Sequence, residues 1–389
     1  MTGVAGRPTI LAARYEDRIT RAARATTEGG FDALLVGVGP DLRYLTGYEA
    51  LPLERLTVLV IPSAAAAPKL VAPRLELAAA RAGVRPDVAI ATWEETEDPY
   101  ALVAALVGEA ARPTRPARRL GVSDRLWASH LLRLQAALPG VTFESATAVL
   151  RDLRMVKDAE EIELLRLAAH AADRVIARIA AGPLVGRTEA DVAREVRERL
   201  LAEGHELAEF SIVASGPNSA SPHHEASERV IRAGEPIVLD IGGTLGGYGS
   251  DITRMVWVTG GDPAKGPDPE YLRLYGVVQH AQGEATRTVR PGVACERIDA
   301  VARGIIESDG YGPNFIHRTG HGIGLEGHEE PYLAAGNAQL LREGAAFSVE
   351  PGIYLEGRYG ARIEDIVVCG PNGPIVLNQA PRDLMVVRG

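Results

Sequence analysis

Four acidic residues and one histidine in the second half of the chain lie in settings that suit metal binding. Each acid occurs in an apolar, glycine-punctuated stretch of strand-like sequence, and the four are Asp240, Asp251, Glu350 and Glu364. His321 stands between Gly320 and Gly322, which allow the backbone to come close to whatever the imidazole binds. Carboxylates flanked by Val, Ile and Leu are costly to bury unless they are paired, protonated or bound to a cation.

Two divalent cations would solve this electrostatic problem. Four carboxylates and one imidazole form an oxygen-rich ligand set, which suits manganese, cobalt, iron or zinc better than a metal that prefers thiolates. Two such ions about 3.5–4 Å apart could hold a hydroxide and stabilise the tetrahedral intermediate of amide hydrolysis. The residue types therefore predict a two-metal hydrolytic centre.

A weak internal repeat predicts how these residues come together. Gly186 and Gly204 are 18 residues apart, as are Gly292 and Gly310, and each pair brackets a helical segment. Each segment is followed by a phenylalanine, by a histidine 13 residues later and by two of the acids; the series are Phe210, His223, Asp240, Asp251 and Phe315, His328, Glu350, Glu364. The order predicts two similar helix-plus-strand halves about a pseudo-twofold axis, which would bring four carboxylates together.

The first 150 residues have a different sequence pattern, in which short apolar runs alternate with helical stretches. Apolar runs bounded by glycine and proline, such as residues 33–38 and 57–61, predict buried strands, and stretches such as residues 15–28 predict helices. Alternating strands and helices are typical of an α/β domain. A long amphipathic helix is predicted over residues 153–181, and the change of texture there divides the chain into domains at 1–152 and 153–389.

Charge and composition narrow the class of protein. The chain has 389 residues, of which 42 are basic and 51 acidic, so its net charge is −9 at pH 7. This balance argues against a nucleic acid or an anionic membrane as the main partner. No apolar run reaches the roughly 18 residues of a membrane span. Because only Cys295 and Cys369 occur, a disulfide scaffold is not expected, and we predict a cytoplasmic protein.

Several longer motifs together resemble the pita-bread metallopeptidases, in particular the prolidase and aminopeptidase P branch of the creatinase family. The motifs occur at residues 215–224, 239–242, 250–254, 320–329, 349–352 and 362–365. A looser match covers residues 10–150 through residues 41–47. The resemblance implies a creatinase-like α/β N-terminal domain and an α+β pita-bread catalytic domain with pseudo-twofold symmetry.

The resemblance also assigns roles to the metal-binding candidates. It implies two divalent ions per chain, with manganese expected and cobalt, iron or zinc as alternatives, bound by Asp240, Asp251, His321, Glu350 and Glu364. Within this set, Asp251 and Glu364 would bridge both ions and Asp240 would chelate one of them. Glu350 would in addition transfer the proton of the activated water.

Three further residues are implied to act beside the metals. His223 and His328 would hydrogen-bond the region of the scissile carbonyl and the developing oxyanion. Arg362 lies two residues before Glu364 and hence, in a strand, on the same face. It would pair with a ligating carboxylate and orient it.

The reaction that the resemblance implies is hydrolysis of the bond between an N-terminal residue and a following proline in a short peptide. An Xaa-Pro dipeptidase is favoured, with aminopeptidase P acting on longer peptides as the alternative. A metal-free amidinohydrolase resembling creatinase and a non-catalytic relative are more remote, because the ligand set is complete. Members of this build are usually homodimers, and residues 44–48 are predicted to form a loop at the partner's active site.

Overall fold

The computed structural model describes residues 8–63, 67–84, 88–110 and 117–389, and it divides into two units. One unit is Thr9–Arg154 and the other is formed mainly by Met155–Gly389. None of the helices in these described ranges combines the length and the apolar character needed to cross a lipid bilayer.

The N-terminal unit alternates strands and helices, as its apolar runs predict. Its elements are α1 Ala12–Glu28, β1 Ala33–Gly37, α2 Pro40–Thr46, β2 Val58–Pro62, β3 Lys69–Pro73, α3 Leu77–Gly83, β4 Ala89–Trp93, α4 Pro99–Ala110, β5 Arg119–Val122, α5 Ala128–Ala137, β6 Thr142–Ser145 and α6 Thr147–Arg154. The six strands form one mixed sheet in the order β4-β3-β2-β1-β5-β6. Its central strands β1 and β2 are fully buried, which explains their continuous apolar sequence.

The segment at residues 44–48, which was predicted to form a loop, is helical as far as Thr46. Tyr44 belongs to α2 and is 1% exposed, and Tyr48 is 6% exposed. The Tyr44 hydroxyl donates to the backbone oxygen of Leu153 at 2.8 Å, and the Arg18 guanidinium lies 4.1 Å from the centre of the Tyr44 ring. Both contacts hold Tyr44 inside its own unit.

The C-terminal unit contains three sheets with helices packed against them. Its elements are α7 Ala159–Ala180, α8 Glu189–Ala202, β7 Leu207–Ser215, β8 Glu235–Leu245, β9 Tyr248–Val258, α9 Pro269–Thr288, α10 Cys295–Ser308, β10 Gly320–Gly322, β11 Glu329–Leu333, β12 Ala346–Val349, β13 Gly352–Leu355, β14 Tyr359–Arg362, β15 Asp365–Gly370, β16 Gly373–Val376 and β17 Met385–Val387. The sheet orders are β17-β9-β8-β7, β11-β10-β12-β15-β16 and β13-β14.

The predicted long helix over residues 153–181 is wrong in its N-terminal part. Helix α6 ends at Arg154, and α7 begins only at Ala159. Asp158 caps the new helix by accepting a hydrogen bond from the Glu161 backbone at 3.0 Å, while the Glu161 side chain accepts one from the Asp158 backbone at 3.0 Å. This reciprocal capping box starts a helix at that point.

The internal repeat corresponds to two similar structural halves. Helices α8 and α10 lie between the paired glycines, which all have positive φ: 89° and 103° around α8, 84° and 87° around α10. The backbone N–H of Gly186 donates to Ile231, and that of Gly292 donates to Leu341, both at 2.9 Å. In each half, the glycine that precedes the helix is therefore hydrogen-bonded to a corresponding segment of the chain.

A tight hairpin joins β8 and β9. The turn consists of Gly246 and Gly247, whose φ values of 66° and 82° suit a two-residue turn that other residues rarely adopt. Gly242 and Gly243 lie within β8, and Gly242 is the register partner of Asp251. The hairpin therefore places Asp240 and Asp251 on neighbouring strands.

Candidate metal centre

The five predicted metal ligands come from both halves of the C-terminal unit. Asp240 lies on β8, Asp251 on β9 and His321 on β10, while Glu350 follows β12 directly and Glu364 lies in the short link between β14 and β15. Four of them are almost fully buried, with exposures of 7% for Asp240, 4% for Asp251, 2% for His321 and 2% for Glu364. The two sheets thus bring together side chains that are up to 124 residues apart in sequence.

The ligand atoms form three overlapping triplets in which all atoms lie within 4.8 Å of one another. The triplets are Asp240, Asp251, Glu364; His321, Glu350, Glu364; and Asp251, His321, His328. Nε2 of His321 is 3.3 Å from Oε1 of Glu350 and 3.7 Å from Oδ2 of Asp251. Asp251, His321 and Glu364 each belong to two of these triplets, so the three groups overlap in one continuous cluster.

Three buried carboxylate oxygens fit this interpretation. Oδ1 of Asp240, Oδ1 of Asp251 and Oε1 of Glu364 have no hydrogen-bond partner among the described residues. A buried acceptor without a partner costs about 1–3 kcal/mol, and more if it is charged. Three such atoms in one cluster are therefore suited to cations, and the oxygen-rich donor set fits divalent metal ions.

The pKa values of the clustered side chains also indicate that the ionised carboxylates require nearby positive charge. Burial, and then the charges of neighbouring carboxylates, raise the pKa of Asp251 and of Glu364 well above their usual ranges. Burial raises the pKa of Glu350 to about 7, and burial lowers the pKa of His321 to about 3. His321 is thus a neutral imidazole at physiological pH, the form that binds metals, whereas the acids would keep protons unless cations replaced them.

The cluster lies on a cavity of about 530 Å³. All eight residues predicted for the site line it: Asp240, Asp251, His321, Glu350, Glu364, His223, His328 and Arg362. The remaining wall is formed by Phe210, Ile212, Pro222, His317 and Arg318. The cavity has the size of a small-molecule site, and apolar and charged side chains share its lining.

Arg362 contacts a carboxylate of the cluster, although the predicted reason is wrong. Its guanidinium hydrogen-bonds Oδ2 of Asp240, and it also donates to the Thr253 hydroxyl at 3.1 Å and to the Tyr354 hydroxyl at 2.6 Å. Arg362 is the last residue of β14, and Glu364 lies beyond the strand. The two side chains reach the same site because the chain leaves the strand between them, not because they share a strand face.

The two histidines outside the ligand set lie at the open side of the cavity. The His328 ring is exposed, and its centre is 3.8 Å from that of His321. Burial, and then the positive charge of Arg318, lower the pKa of His328. His223 is also exposed and follows Pro222 in the connection between β7 and β8. Both imidazoles can therefore reach a ligand in the cavity.

Two residues of the cavity were missed as site candidates. The first is His317, whose Nε2 is 2.9 Å from the Tyr354 hydroxyl and whose pKa burial lowers to about 4. Arg318 was not singled out at all. Its Nη2 is 3.5 Å from Nδ1 of His328, and its guanidinium lies 4.2 Å from the centre of the Tyr332 ring. Its position three residues before His321 was the available signal.

Comparison with known families gives the class of protein. Residues 163–371 match the model of metallopeptidase family M24, and residues 18–156 match the creatinase/prolidase N-terminal domain. The chain belongs to metallopeptidase family M24. It is therefore a metallopeptidase with the pita-bread fold, in agreement with the metal-binding geometry of the cavity.

Individual relatives are similar over nearly their whole length. A protein of Mycobacterium tuberculosis named probable dipeptidase PepE is 47% identical over 376 residues, which is 96% of both chains. The structure of dipeptidase PepE from Mycobacterium ulcerans has a TM-score of 0.90 at 46% identity and covers 98% of this chain and 100% of its own. The prolidase from Thermococcus sibiricus has a TM-score of 0.87 at 36% identity, with 98% and 100% covered.

Proposed function

We propose that this chain is an Xaa-Pro dipeptidase that cleaves the bond between the first residue and the proline of a dipeptide. The observation that carries the proposal is the cluster of three unpartnered carboxylate oxygens on the cavity wall. The names of the relatives, dipeptidase and prolidase, indicate the substrate class. Two divalent ions are proposed per chain, with manganese as the expected metal.

Asp240, Asp251, His321, Glu350 and Glu364 would hold these ions. Bound divalent ions would supply Lewis acidity, which lowers the pKa of a water molecule and polarises the scissile carbonyl. Asp251 and Glu364 are the proposed shared ligands: each belongs to two of the three triplets and, unlike His321, which also belongs to two, each has two carboxylate oxygens that could serve different ions. Arg362 would fix the orientation of Asp240 through its hydrogen bond to Oδ2.

Glu350 is the proposed proton carrier of the reaction. Its carboxylate lies on the cavity wall, and its Oε1 is 3.3 Å from Nε2 of His321 and accepts a hydrogen bond from the Ser348 hydroxyl at 3.1 Å. The side chain would accept the proton that the attacking water loses and deliver it to the nitrogen of the leaving proline. His223 and His328 would donate hydrogen bonds to the substrate carbonyl as its oxygen gains negative charge.

Arg318 supports a dipeptide rather than a longer substrate. It lines the cavity, and in the described part of the chain it makes no ion pair with a carboxylate, whereas Arg362 is bound to Asp240. The free carboxylate of an Xaa-Pro dipeptide would carry its charge into the cavity and needs a cation there. In a longer peptide that carboxylate is replaced by a neutral amide, which gains less from a guanidinium.

The decisive experiment compares an Xaa-Pro dipeptide with the matching Xaa-Pro-Xaa tripeptide, using enzyme loaded with manganese. We expect a higher kcat/KM for the dipeptide. A preference for the tripeptide would reject the dipeptidase in favour of an aminopeptidase acting on longer peptides. Failure to cleave either peptide, with two metal ions bound per chain, would reject Xaa-Pro hydrolysis as the function.

A cytoplasmic homodimer is proposed as the working form. The support for the cytoplasm is that Cys295 and Cys369 are the only cysteines and are both buried and free. The homodimer is proposed from the resemblance to the creatinase family, whose members of this build are usually homodimers. The N-terminal domain, placed at residues 1–152, is proposed to form the dimer contact and the edge of the active site. Light scattering of the full chain tests the dimer, and a monomer at micromolar concentration would contradict it.

A further inference from the structure

Glu189 is a fully buried carboxylate that takes no part in the metal cluster. It is the first residue of α8, follows the helix cap Thr188 and is 0% exposed. A carboxylate in such a position is stable only if hydrogen bonds replace its lost hydration. The positions of the groups that donate hydrogen bonds to this carboxylate therefore indicate its role.

All of its donors come from a single segment, residues 215–227. Oε1 accepts from the Ser215 backbone and hydroxyl, both at 2.7 Å, and from the Asn218 amide at 3.0 Å. Oε2 accepts from Nε2 of His224 at 2.8 Å and from the Ser227 hydroxyl at 2.7 Å. One side chain thus holds the beginning, the middle and the end of this segment.

The same segment carries cavity residues to their places. Pro222 and His223 lie between the Asn218 and His224 contacts, and both line the cavity. His223 is exposed, so few contacts of its own side chain fix its position. The hydrogen bonds, set against burial, lower the pKa of Glu189 to about 2, so its charge persists at every pH at which a peptidase of this kind would work.

The second half of the unit contains a parallel arrangement. Asp299, on the equivalent helix α10, is 1% exposed and accepts from the Thr319 backbone at 3.1 Å and from the Thr319 hydroxyl at 2.8 Å. The backbone oxygen of Thr319 in turn accepts from the Glu350 backbone at 2.8 Å, and His321 lies two residues further on. In each half, a buried acid on the corresponding helix fixes the segment that presents a site residue.

We propose that Glu189 is a positioning residue that holds His223 in the cavity by fixing residues 215–227. This inference rests on the proposed function, in which His223 contacts the substrate. It also assigns a role to Ser215, Asn218 and His224, three members of the motif at residues 215–224. Their role is to donate hydrogen bonds to one carboxylate.

The test is a double-mutant cycle between Glu189 and His223, measured on an Xaa-Pro dipeptide. Glu189→Gln keeps the shape but turns an NH2 group toward donors, which leaves at least one of them unsatisfied. We expect kcat to fall about 10- to 100-fold with KM changed by less than about threefold. The reason is that the substitution displaces His223, a group that is proposed to act in the transition state. In the His223→Ala background, the same change should cost less than about threefold in kcat. Glu198→Gln, an exposed position on the same helix, is the matched control and should resemble wild type.

Equal fold losses in the two backgrounds would show that Glu189 does not act through His223 and would overturn the proposal, as would wild-type kcat in Glu189→Gln. If Glu189→Gln does not fold, Ser227→Ala removes a single donor and should give a smaller loss that also disappears in the His223→Ala background. Hydrogen–deuterium exchange of residues 216–227 gives a readout that does not depend on activity. A wild-type enzyme that cleaves no Xaa-Pro dipeptide would reject the proposed function, whereas unchanged exchange in Glu189→Gln would reject the positioning role.

Discussion

The guanidinium of Arg362 binds Oδ2 of Asp240, while Oδ1 of the same carboxylate is buried without a hydrogen-bond partner among the described residues. The protein thus contacts one oxygen of Asp240, and the other oxygen is available to a cation. Such outer contacts fix the orientation of a metal ligand. A single carboxylate could therefore contact a guanidinium through one oxygen and a metal ion through the other.

Arg362→Lys should weaken metal binding without removing it. A lysine keeps the charge but cannot contact Asp240, the Thr253 hydroxyl and the Tyr354 hydroxyl together, as the guanidinium does. We expect metal affinity to fall about 10- to 100-fold, as measured by titration of the metal-free enzyme with manganese. Arg290→Lys, at an exposed position, is the control. Unchanged affinity in Arg362→Lys would show that Asp240 needs no orienting partner.

Glu364→Gln should abolish metal-dependent stabilisation together with activity. Glutamine keeps an oxygen that can accept from the Thr253 hydroxyl, which donates to Oε2 of Glu364 at 2.8 Å, but it lacks the charge that two bridged ions require. The metal-free variant should be at least as stable as the metal-free wild type, because burial, and then the charges of Asp251 and Glu350, disfavour an ionised carboxylate at this position but not a neutral amide.

The measurements are metal content by elemental analysis and Tm with and without manganese. The wild type should gain Tm on metal addition and the variant should not. Glu356→Gln, at an exposed position, should behave as wild type. A variant that still binds two ions per chain would remove Glu364 from the ligand set.

Arg318→Gln should distinguish substrates by their C-terminal charge. Loss of the guanidinium should raise KM for an Xaa-Pro dipeptide about 10-fold or more, since a charged hydrogen bond is worth about 1.5–3 kcal/mol. KM for the corresponding Xaa-Pro amide, which has no carboxylate, should change little. Equal effects on both substrates would mean that Arg318 does not bind the carboxylate, and the exposed Arg290→Gln serves as the control.

His205 should make the C-terminal unit less stable in acid. The side chain is 4% exposed, bonds the Leu200 carbonyl at 3.1 Å and the Ser250 hydroxyl at 2.9 Å, and burial lowers its pKa from 6.5 to about 4. The unfolded chain therefore takes up this proton at a higher pH than the folded chain. The contribution of neutral His205 to the free energy of unfolding is therefore present above about pH 6.5. As the pH falls to 5, this free energy decreases by about 2 kcal/mol.

Urea unfolding of the metal-free protein at pH 7.5 and 5.0 measures this effect. His205→Gln should lose less stability than wild type between the two pH values, because a neutral amide does not titrate. His280→Gln is the matched control, since His280 is exposed and on helix α9. An identical pH dependence of unfolding in His205→Gln and wild type would contradict the assignment.

The repeat and the ligand types could be predicted from the sequence because they depend on local chemistry. Helices at residues 189–202 and 295–308 follow from glycine spacing and apolar periodicity, and a carboxylate within an apolar strand is unusual wherever the strand lies. The break before α7 was missed because the sequence contains two conflicting signals. The apolar stripe favours one continuous helix, whereas the capping box of Asp158 and Glu161 favours a new helix start, and only the folded structure shows that the second prevails.

The sequence by itself determined the family, the two-part fold and the five candidate ligands, because residue types and their order are enough for these. The tertiary structure alone decided which oxygens of those ligands remain without partners, that Arg318 faces the cavity beside His328, and that Glu189 gathers donors 26 to 38 residues away. These relationships depend on distances between segments that meet only when strands and helices pack. Sequence spacing contains no measure of such distances.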